Sequence, residues 1–300
     1  MTVDMIPFEA EKHLSWDGLT QALEAGHRLP RAEIADLFLY RGADTMLDRG
    51  AWITGLGALV KVVTIVPGNA ARGKPTVNGI VNVFDDVSGE LTALLDFHLV
   101  TKWKTAGDSL LAAKRLARKD SRKILLVGAG VVARSMVQAY SSAFPGAEFT
   151  VWSRTRATAE GMGLPVADDL EVAVRGADII CTATLATKPL IRGDWLQPGQ
   201  HLDLIGASTP ALREVDDAAM ARARVFVDAR ATTVHHIGEI IDPIAHGVMT
   251  EADIIADFYD DPALFRRQSA DEITIAKNGG GAHLDLMTAT YIARAWASRG

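Results

Sequence analysis

The chain has 300 residues and 48% of them are hydrophobic, so it can bury one large core or, as we expect, two smaller ones. A formal net charge of −6 without a run of Lys or Arg argues against a nucleic-acid partner and favours small molecules. No apolar stretch approaches membrane-spanning length and residues 1–10 lack a signal-peptide pattern, which predicts a cytoplasmic protein with no membrane partner.

The first third of the chain contains short runs that are typical of β-strands. These runs cover residues 59–66, 76–84 and 91–97, and turn-forming residues separate them. We interpret this region as a small mixed sheet. From Leu99 onward the apolar spacing becomes helical, and this helix leads into a second lobe.

The second lobe alternates strands with helices. Its first strand, residues 123–127, is followed by a Gly-rich turn and a helix, and we expect further strands at residues 149–152, 178–182, 201–205 and 225–228. Such alternation predicts parallel βαβ units. The predicted fold class is therefore α/β, with a Rossmann-type doubly wound sheet and a smaller mixed α/β lobe.

The last segment, residues 282–298, has a helical pattern and follows the sequence Asn-Gly-Gly-Gly. We expect this helix to return to the first lobe. The predicted domains are residues 1–118 with 283–300 for the smaller lobe, and residues 119–282 for the Rossmann lobe. The single cysteine, Cys181, lies in an apolar run, so no intramolecular disulfide can form.

A dinucleotide-binding motif opens the second lobe. The strand runs directly into Gly128-Ala129-Gly130 and then into the helix start Val131-Val132-Ala133, which fits the pattern G-x-G-x-x-A. The first glycine allows the tight turn, the second lets the backbone approach the pyrophosphate, and the helix N-terminus supplies amide donors. The motif predicts a cofactor site at Gly128, Ala129, Gly130, Val131 and Val132.

The end of the next strand bears on the choice of cofactor. An NAD site usually has Asp or Glu there, whereas this chain has Ser153, Arg154 and Thr155, which can bind a 2′-phosphate. We therefore predict a preference for NADP(H), with NAD(H) also permitted. The alternative is that Arg154 is an ordinary solvent-facing side chain. Thr182 and Ala183 complete the predicted cofactor-binding residues of this lobe.

Lys61 is the candidate catalytic residue. It interrupts an apolar run and shares a strand face with Val63 and Ile65 if side chains alternate. A buried lysine is costly unless it is paired, so this position suggests function. The alternative is a lysine on the solvated face of an edge strand.

The sequence gives little support for a metal site or for covalent catalysis. His235, His236 and Glu239 have helical spacing, but adjacent histidines point to different faces and no further Cys or His completes a set. The chain also lacks a Gly-x-Ser-x-Gly nucleophile motif. We predict no metal site.

Several motifs together resemble the ornithine cyclodeaminase and mu-crystallin family. In the first lobe they are Val60-Lys61-Val62-Val63, Pro67-Gly68-Asn69 and Gly73-Lys74-Pro75-Thr76-Val77. Further along they are Thr101-Lys102-Trp103-Lys104-Thr105-Ala106, Gly206-Ala207-Ser208-Thr209-Pro210 and His283-Leu284-Asp285-Leu286. The resemblance implies a homodimer that has a substrate and dimerisation lobe, a Rossmann lobe and an active site between them.

The resemblance also implies roles for single residues. Arg41 is similar to an arginine that binds the substrate carboxylate, Lys61 to the active-site lysine, and Thr76 to a hydroxyl near the substrate. Lys104 stands where the family usually has a second carboxylate-binding arginine, and a lysine loses the bidentate geometry. Asp285 is similar to a residue that approaches the nicotinamide carboxamide.

Ser208 separates the activities within the family. Cyclodeaminases carry an aspartate at this position, whereas mu-crystallin-like ketimine reductases carry serine, so the resemblance favours a reductase. We expect reduction of a cyclic 2-ketimine carboxylate, either Δ1-pyrroline-2-carboxylate or Δ1-piperideine-2-carboxylate, to L-proline or L-pipecolate. Three alternatives remain open at this point, namely a cyclodeaminase that recycles NAD, a non-catalytic NADPH-binding protein and an aminating 2-oxo acid dehydrogenase.

Overall fold

The protein is described by a computed structural model that covers residues 3–299. The chain divides into two compact units, which we call unit 1 and unit 2. Unit 1 comprises Met1–Lys104 with Gly281–Gly300, and unit 2 comprises Thr105–Gly280. The first division falls inside the helix Phe97–Leu116, whereas the sequence-based boundary was drawn after this helix, at residue 118.

Unit 1 combines a six-stranded sheet with helices. Its elements in chain order are β1 (Asp4–Ile6), α1 (Trp16–His27), β2 (Glu33–Arg41), β3 (Asp44–Ile53), β4 (Gly57–Ile65), β5 (Val77–Phe84), β6 (Leu91–Asp96), the first part of α2 (Phe97–Leu116) and the final helix α9 (Ala282–Ala297). The sheet order is β1-β6-β5-β4-β3-β2. Only the β1–β6 pair is parallel, so the sheet is mixed.

One face of this sheet is buried by helices. Helix α9 packs against α1 and against β3, β4 and β5. Strand β4 alternates between the two faces, because Leu59, Lys61 and Val63 are buried while Val60 is exposed. The side chain of Ser15 accepts a hydrogen bond from Gly18 N and caps the start of α1. The buried face therefore carries Lys61 toward the helical layer.

Unit 2 is a layered α/β unit. Its strands are β7 (Lys123–Val127), β8 (Glu148–Trp152), β9 (Ile179–Thr182), β10 (His201–Leu204), β11 (Arg224–Val227) and β12 (Thr274–Lys277). Its helices after α2 are α3 (Val131–Ala143), α4 (Arg156–Glu160), α5 (Leu170–Gly176), α6 (Asp217–Arg222), α7 (Arg230–Thr233) and α8 (Gly238–Ala245).

The sheet of unit 2 is parallel throughout and has the order β11-β12-β10-β9-β7-β8. The chain moves from β7 to β8 on one side and then to β9 on the other, so the strand order reverses between β7 and β9. In doubly wound sheets, ligands bind beyond the carboxyl ends of the strands at this reversal. Those ends are followed by the Gly128 turn and by Ala183.

The predicted fold class is confirmed, with a mixed sheet in one unit and a Rossmann-type parallel sheet in the other. Five elements were not predicted from the sequence, namely β1, β2, β3, β12 and α1. Strand β2 carries few of the alternating buried residues that would reveal it, because eight of its nine residues are exposed. Within residues 3–299, no helix is long and apolar enough to cross a membrane.

Candidate functional site

The Gly-rich turn of unit 2 has the geometry that the motif requires. Gly128 has a φ of 107°, which favours glycine, and a Cβ there would lie 2.5 Å from the carbonyl oxygen of Ala183. Ala129 is buried. Gly130 caps α3 and has nothing within 4 Å of the position of a Cβ, so its backbone is open to a ligand. Ala133, beneath it, is buried and lets the helix pack closely on the sheet.

A cleft of about 210 Å³ lies beside this turn. The residues that line it lie at the end of β8 and in the segments that follow β7, β8 and β9, namely Gly128, Trp152, Ser153, Arg154, Thr155, Thr184, Leu185, Ala186 and Leu190. Val131, the first residue of α3, is 77% exposed, so the helix N-terminus is accessible, and Val132 next to it is half-buried. A helix N-terminus with open amide groups is suited to bind phosphate.

Two arginines follow β8 and differ in their partners. Arg156 pairs with Glu160 and Asp168. Arg154 is exposed, lines the cleft and makes no hydrogen bond or ion pair with any residue in the described range 3–299. Ser153 and Thr155 flank it on the same wall. Arg154 is therefore the guanidinium that remains available to a ligand in the cleft.

Glu214 holds the loops that form the wall of this cleft. Its carboxylate accepts hydrogen bonds from Thr182 Oγ1 at 2.7 Å, from Thr184 N at 2.8 Å and from Gly206 N at 2.7 Å. It also accepts from Thr184 Oγ1 and Ala207 N. A Cβ at Gly206 would lie 2.0 Å from Thr184 O, so this approach requires glycine. One buried carboxylate thus joins the loop after β9 to the loop after β10.

A second layer of buried carboxylates supports Glu214. Glu239 accepts from Glu214 N at 2.7 Å and from Val215 N at 3.0 Å. Burial raises the pKa of Glu239 to about 7 and that of Asp203 to about 6, while the nearby ammonium of Lys277 acts in the opposite direction. Lys277 Nζ donates to Leu204 O at 2.7 Å and is the cation at the centre of this group.

The buried ion pair of unit 1 is formed by Lys61 and Asp285. Lys61 Nζ lies 2.8 Å from Asp285 Oδ1, and the two side chains are 5% and 0% exposed. Lys61 also donates to Thr101 Oγ1 at 2.9 Å and lies 4.8 Å from the centre of the Phe97 ring. An ammonium has three N–H donors, so one donor of Lys61 remains open.

Two further cations surround this pair. Arg49 lies directly opposite Lys61 in the β3–β4 register and is held by Asp36 through Nε at 3.0 Å and Nη2 at 2.8 Å. Lys104 is buried, and among residues 3–299 it forms no hydrogen bond or ion pair. A buried ammonium without a partner is costly, which points to an anionic ligand at Lys104.

The pKa shifts follow from this crowding of charges. Burial lowers the pKa of Lys61, and Lys104 and Arg49 lower it further, although Asp285 acts in the opposite direction. Burial alone raises the pKa of Asp285, but Lys61 and Lys104 outweigh burial and bring this pKa below its usual value. Asp285 is therefore a carboxylate at neutral pH, and Lys61 gives up its proton more easily than an ordinary lysine.

Arg41 lies away from these cations. It is directly opposite Asp44 at the end of the β2–β3 hairpin, bonds Asp44 Oδ2 at 2.9 Å, and its side chain is 86% exposed. The Asp36 side chain contacts Arg49 on the face of the sheet that carries Lys61. Side chains alternate along β2 and Arg41 lies at an odd spacing from Asp36, so Arg41 points to the opposite face. The structure does not bring Arg41 to Lys61, and Arg49 is the arginine found there.

The remaining predicted residues are placed as follows. Thr76 precedes β5, is half-buried and accepts a backbone hydrogen bond from Val66 N at 2.7 Å. Ser208 is exposed on the loop after β10. Thr182 is buried, and its hydroxyl donates a hydrogen bond to Glu214. Ala183 lies beside the Gly128 turn, since its carbonyl oxygen would be 2.5 Å from a Cβ at Gly128. Asp285 belongs to unit 1 and pairs with Lys61.

The sequence did not indicate Arg49, Asp36, Glu214 or the role of Asp285 beside Lys61. Recognition of β2 and β3 as paired strands would have brought the first two residues together, since they are directly opposite each other. For Glu214 the available signal was an acidic residue close after the Gly-Ala-Ser-Thr-Pro motif. Among residues 3–299, no group of three or more His, Cys, Asp or Glu could hold a metal ion.

Known proteins resemble the chain along nearly its whole length. The Delta(1)-pyrroline-2-carboxylate reductase of Paracoccus denitrificans (strain Pd 1222) is 51% identical over 301 residues, which cover 96% of this chain and 95% of that protein. The Thermococcus litoralis Delta(1)-pyrroline-2-carboxylate reductase, solved with NADH and L-proline, is 25% identical and has a TM-score of 0.87, with 98% of this chain and 97% of that chain covered.

A second solved structure, an archaeal alanine dehydrogenase dimer with bound NAD, is 26% identical and has a TM-score of 0.89. The similarity covers 99% of this chain and 97% of that chain. The sequence model of the ornithine cyclodeaminase/mu-crystallin family matches residues 53–300, which include Lys61, the Gly-rich turn and Asp285. The chain therefore belongs to the ornithine cyclodeaminase/mu-crystallin family.

Proposed function

We propose that the protein is an NAD(P)H-dependent oxidoreductase that reduces the C=N bond of Δ1-pyrroline-2-carboxylate to L-proline. The observation that carries this proposal is the buried Lys61–Asp285 pair, beside which the ammonium of Lys104 has no partner among residues 3–299. Such a site suits a small molecule that carries both a carboxylate and a basic nitrogen. The relatives with this activity support the choice of substrate. Δ1-piperideine-2-carboxylate, with L-pipecolate as product, is a second substrate to be tested.

Lys104 and Arg49 are the proposed ligands of the substrate carboxylate. Lys104 is buried with no partner in residues 3–299. Asp36 binds Nε and Nη2 of the Arg49 guanidinium, which leaves Nη1 available to a ligand. Asp36 also fixes the orientation of that guanidinium. Thr76 and Ser208 are proposed to add hydrogen bonds to the substrate. A carboxylate held in this way orients the imine carbon for reduction.

Lys61 is the proposed catalytic residue. One of its three donors is open, and burial together with two neighbouring cations lowers its pKa. Both properties suit a group that contacts the substrate and supplies a proton during reduction. Thr101 and Asp285 hold the ammonium in place while the third donor faces the ligand.

The proposed cofactor is NADP(H), with NAD(H) also accepted. The positive φ at Gly128, the open backbone at Gly130 and the accessible N-terminus of α3 fit a pyrophosphate. The guanidinium of Arg154, which has no partner in the described part of the chain, fits a 2′-phosphate. When bound, the nicotinamide supplies the hydride. Two of the similar solved structures contain NADH or NAD, so the preference for NADP(H) rests on the residues after β8, where Ser153, Arg154 and Thr155 stand in place of an Asp or Glu.

A homodimer is proposed through the exposed face of the unit 1 sheet. This face carries apolar side chains that are 38% to 54% exposed, at Leu37, Leu39, Trp52 and Val60. Strand β2 is also an edge strand, and a long apolar edge is rarely left open to water. A Leu37→Lys substitution should convert the dimer to monomers in light scattering. A wild-type monomer would contradict this proposal.

The proposed activity is tested by cofactor oxidation. NADPH or NADH is mixed with Δ1-pyrroline-2-carboxylate or Δ1-piperideine-2-carboxylate, and ammonia release from L-ornithine is measured in parallel. We expect ketimine-dependent oxidation of NADPH that exceeds oxidation of NADH, and a reversal of this preference in Arg154→Asp. Ammonia from ornithine without net cofactor consumption would indicate a cyclodeaminase. No turnover with either ketimine, although NADPH binds, would contradict the reductase proposal.

A further inference from the structure

Asp285 has an oxygen without a hydrogen-bond partner. Its Oδ1 accepts from Lys61 Nζ at 2.8 Å, whereas Oδ2 is fully buried and accepts no hydrogen bond from any residue between 3 and 299. A buried carboxylate oxygen that lacks a donor costs about 1–3 kcal/mol or more. Both Lys61 and Lys104 keep the pKa of Asp285 low, so protonation does not relieve this cost. An N–H donor from a bound ligand would relieve it.

We infer that Asp285 Oδ2 binds the protonated ring nitrogen of the substrate, so that the ketimine is held as its iminium cation. This inference rests on the proposed function, since it concerns the same site. It changes the expected role of Asp285 from a contact of the nicotinamide carboxamide to a contact of the reacting C=N group. Asp285 is then a catalytic residue, because it touches the reacting atoms.

The charges around Asp285 favour this assignment. Lys61, Lys104 and Arg49 all act on this carboxylate, and they would repel a free cation from the site. A cyclic ketimine carboxylate avoids this repulsion, because its own carboxylate can bind the cations while its N–H faces Oδ2. His283, on the same helix, is buried with a pKa well below its ordinary value, which leaves it neutral and without a competing charge. The site therefore selects a zwitterion.

The reaction balances in this arrangement. The iminium carbon gains a hydride, and the π electron pair of the C=N bond becomes the lone pair of the ring nitrogen. The hydrogen bond from the ring N–H to Asp285 persists throughout. The resulting amine then takes one proton from the ammonium of Lys61 to become the ammonium form of the product, and Lys61 regains its proton from solvent. Because an iminium accepts hydride more readily than a neutral imine, the carboxylate would lower the barrier by stabilising the protonated form.

The test compares two ligands that differ at the ring nitrogen. L-proline carries N–H donors, whereas cyclopentanecarboxylate has the same ring size and carboxylate without nitrogen. Both are titrated into the enzyme with NADPH bound, a state in which neither ligand can react. We expect the wild-type enzyme to bind L-proline about 10- to 100-fold more tightly than cyclopentanecarboxylate, which is the range for a hydrogen bond to a charged group.

The variants isolate the contribution of Asp285. In Asp285→Asn, the ratio of the two affinities should fall towards one. Asp44→Asn is the control, because it removes a carboxylate of unit 1 that binds the exposed Arg41 at the end of the β2–β3 hairpin, away from the cluster. In that control the ratio should remain. If Asp285→Asn does not fold, the double variant Lys61→Met/Asp285→Asn removes both charges of the pair, and the ratio of affinities can still be measured.

Each outcome bears on one proposal or the other. A ratio that is unchanged in Asp285→Asn overturns the inference, as does equal binding of the two ligands to the wild-type enzyme. Equal binding would leave the proposed carboxylate site intact, so the two failures can be told apart. Loss of NADPH affinity in Asp285→Asn with an unchanged ligand ratio would return Asp285 to the nicotinamide and also overturn the inference. Binding of neither ligand to the wild-type enzyme would overturn both proposals.

Discussion

The two units bury opposite kinds of charge cluster. In unit 1, the cations Lys61, Lys104 and Arg49 surround one fully buried carboxylate, Asp285. In unit 2, several carboxylates surround one buried ammonium, Lys277. Desolvation is costly in both cases, so each cluster must be compensated either by protein groups or by a ligand.

The clusters differ in how completely their groups are bonded. In unit 2, both oxygens of Glu214, Glu239 and Asp228 accept hydrogen bonds, mostly from backbone N–H groups of loops. In unit 1, Lys104 has no partner within residues 3–299 and one oxygen of Asp285 has none. Asp203 is the exception in unit 2, since its Oδ1 accepts no hydrogen bond within residues 3–299. The fully bonded carboxylates of unit 2 are suited to hold loops in place, whereas the cluster of unit 1 is suited to bind a ligand.

The largest expected effect comes from Lys61. In Lys61→Ala, turnover should fall by about 10²- to 10⁴-fold, the range for loss of a general acid, while NADPH still binds in fluorescence titrations. Lys12→Ala, which removes an exposed lysine of unit 1, is the control and should retain full activity. Unchanged turnover in Lys61→Ala would remove the basis for calling the cluster of unit 1 catalytic.

The second effect tests the positioning role of Glu214. Glu214→Ala deletes the acceptor of hydrogen bonds from Thr184, Gly206 and Ala207, so the affinity for NADPH should fall by about 100-fold. The control is Glu171→Ala, since Glu171 pairs with Arg175 on the surface of α5 and lies outside the cleft. Calorimetric titration of NADPH measures the change. Wild-type affinity in Glu214→Ala would mean that the carboxylate cluster does not support the cleft.

A smaller effect is expected from Lys104. Lys104→Met should raise the KM for Δ1-pyrroline-2-carboxylate about tenfold and change kcat less, because it removes a charged contact to the carboxylate. Lys104→Arg restores the charge and should recover most of the lost affinity. Steady-state kinetics with both variants distinguish this role from a structural one. An equal loss in the two variants would contradict carboxylate binding by this side chain.

The smallest effect is a pH dependence of stability in unit 2. Burial raises the pKa of Glu239 from 4.5 to about 7, so its folded form holds a proton that the unfolded form releases. The proton that folded Glu239 retains stabilises the folded state fully below the unfolded pKa of 4.5, and this stabilisation is lost as the pH rises through about 7. The melting temperature should therefore fall over that window, and Glu239→Gln should reduce the change. The pH dependence that Asp285 contributes to stability runs in the opposite direction. Because its pKa is lowered in the folded state, its contribution is lost as the pH falls through the folded pKa.

Periodic and motif-bearing segments could be predicted from the sequence. The strand before Gly128 and the strand with Lys61 are both short, nearly continuous apolar runs bounded by turn residues, so both were predicted with boundaries close to the observed ones. Strand β2 could not be found in this way, because the sheet exposes most of it and its apolar residues do not alternate with polar ones. Its pairing partner β3 was missed with it.

A site residue could be predicted from the sequence where its neighbours along the chain show that it is buried. A lysine in an apolar strand indicated Lys61, but the carboxylate that pairs with it, Asp285, lies 224 residues away in the sequence. Arg41 was assigned from the family resemblance, whereas the arginine directly opposite Lys61 is Arg49, whose position follows from the pairing of β3 with β4. Long-range pairing of this kind follows from packing, which a single sequence does not display.

The central claim is that the enzyme transfers hydride to the imine carbon, and deuterium labelling tests it most directly. NADPH labelled with deuterium at the transferable C4 position is mixed with Δ1-pyrroline-2-carboxylate, and the product is analysed by mass spectrometry and NMR. We predict L-proline with deuterium at its α-carbon, one atom for each NADPH consumed. Formation of unlabelled proline, or no proline while L-ornithine releases ammonia, would contradict the account.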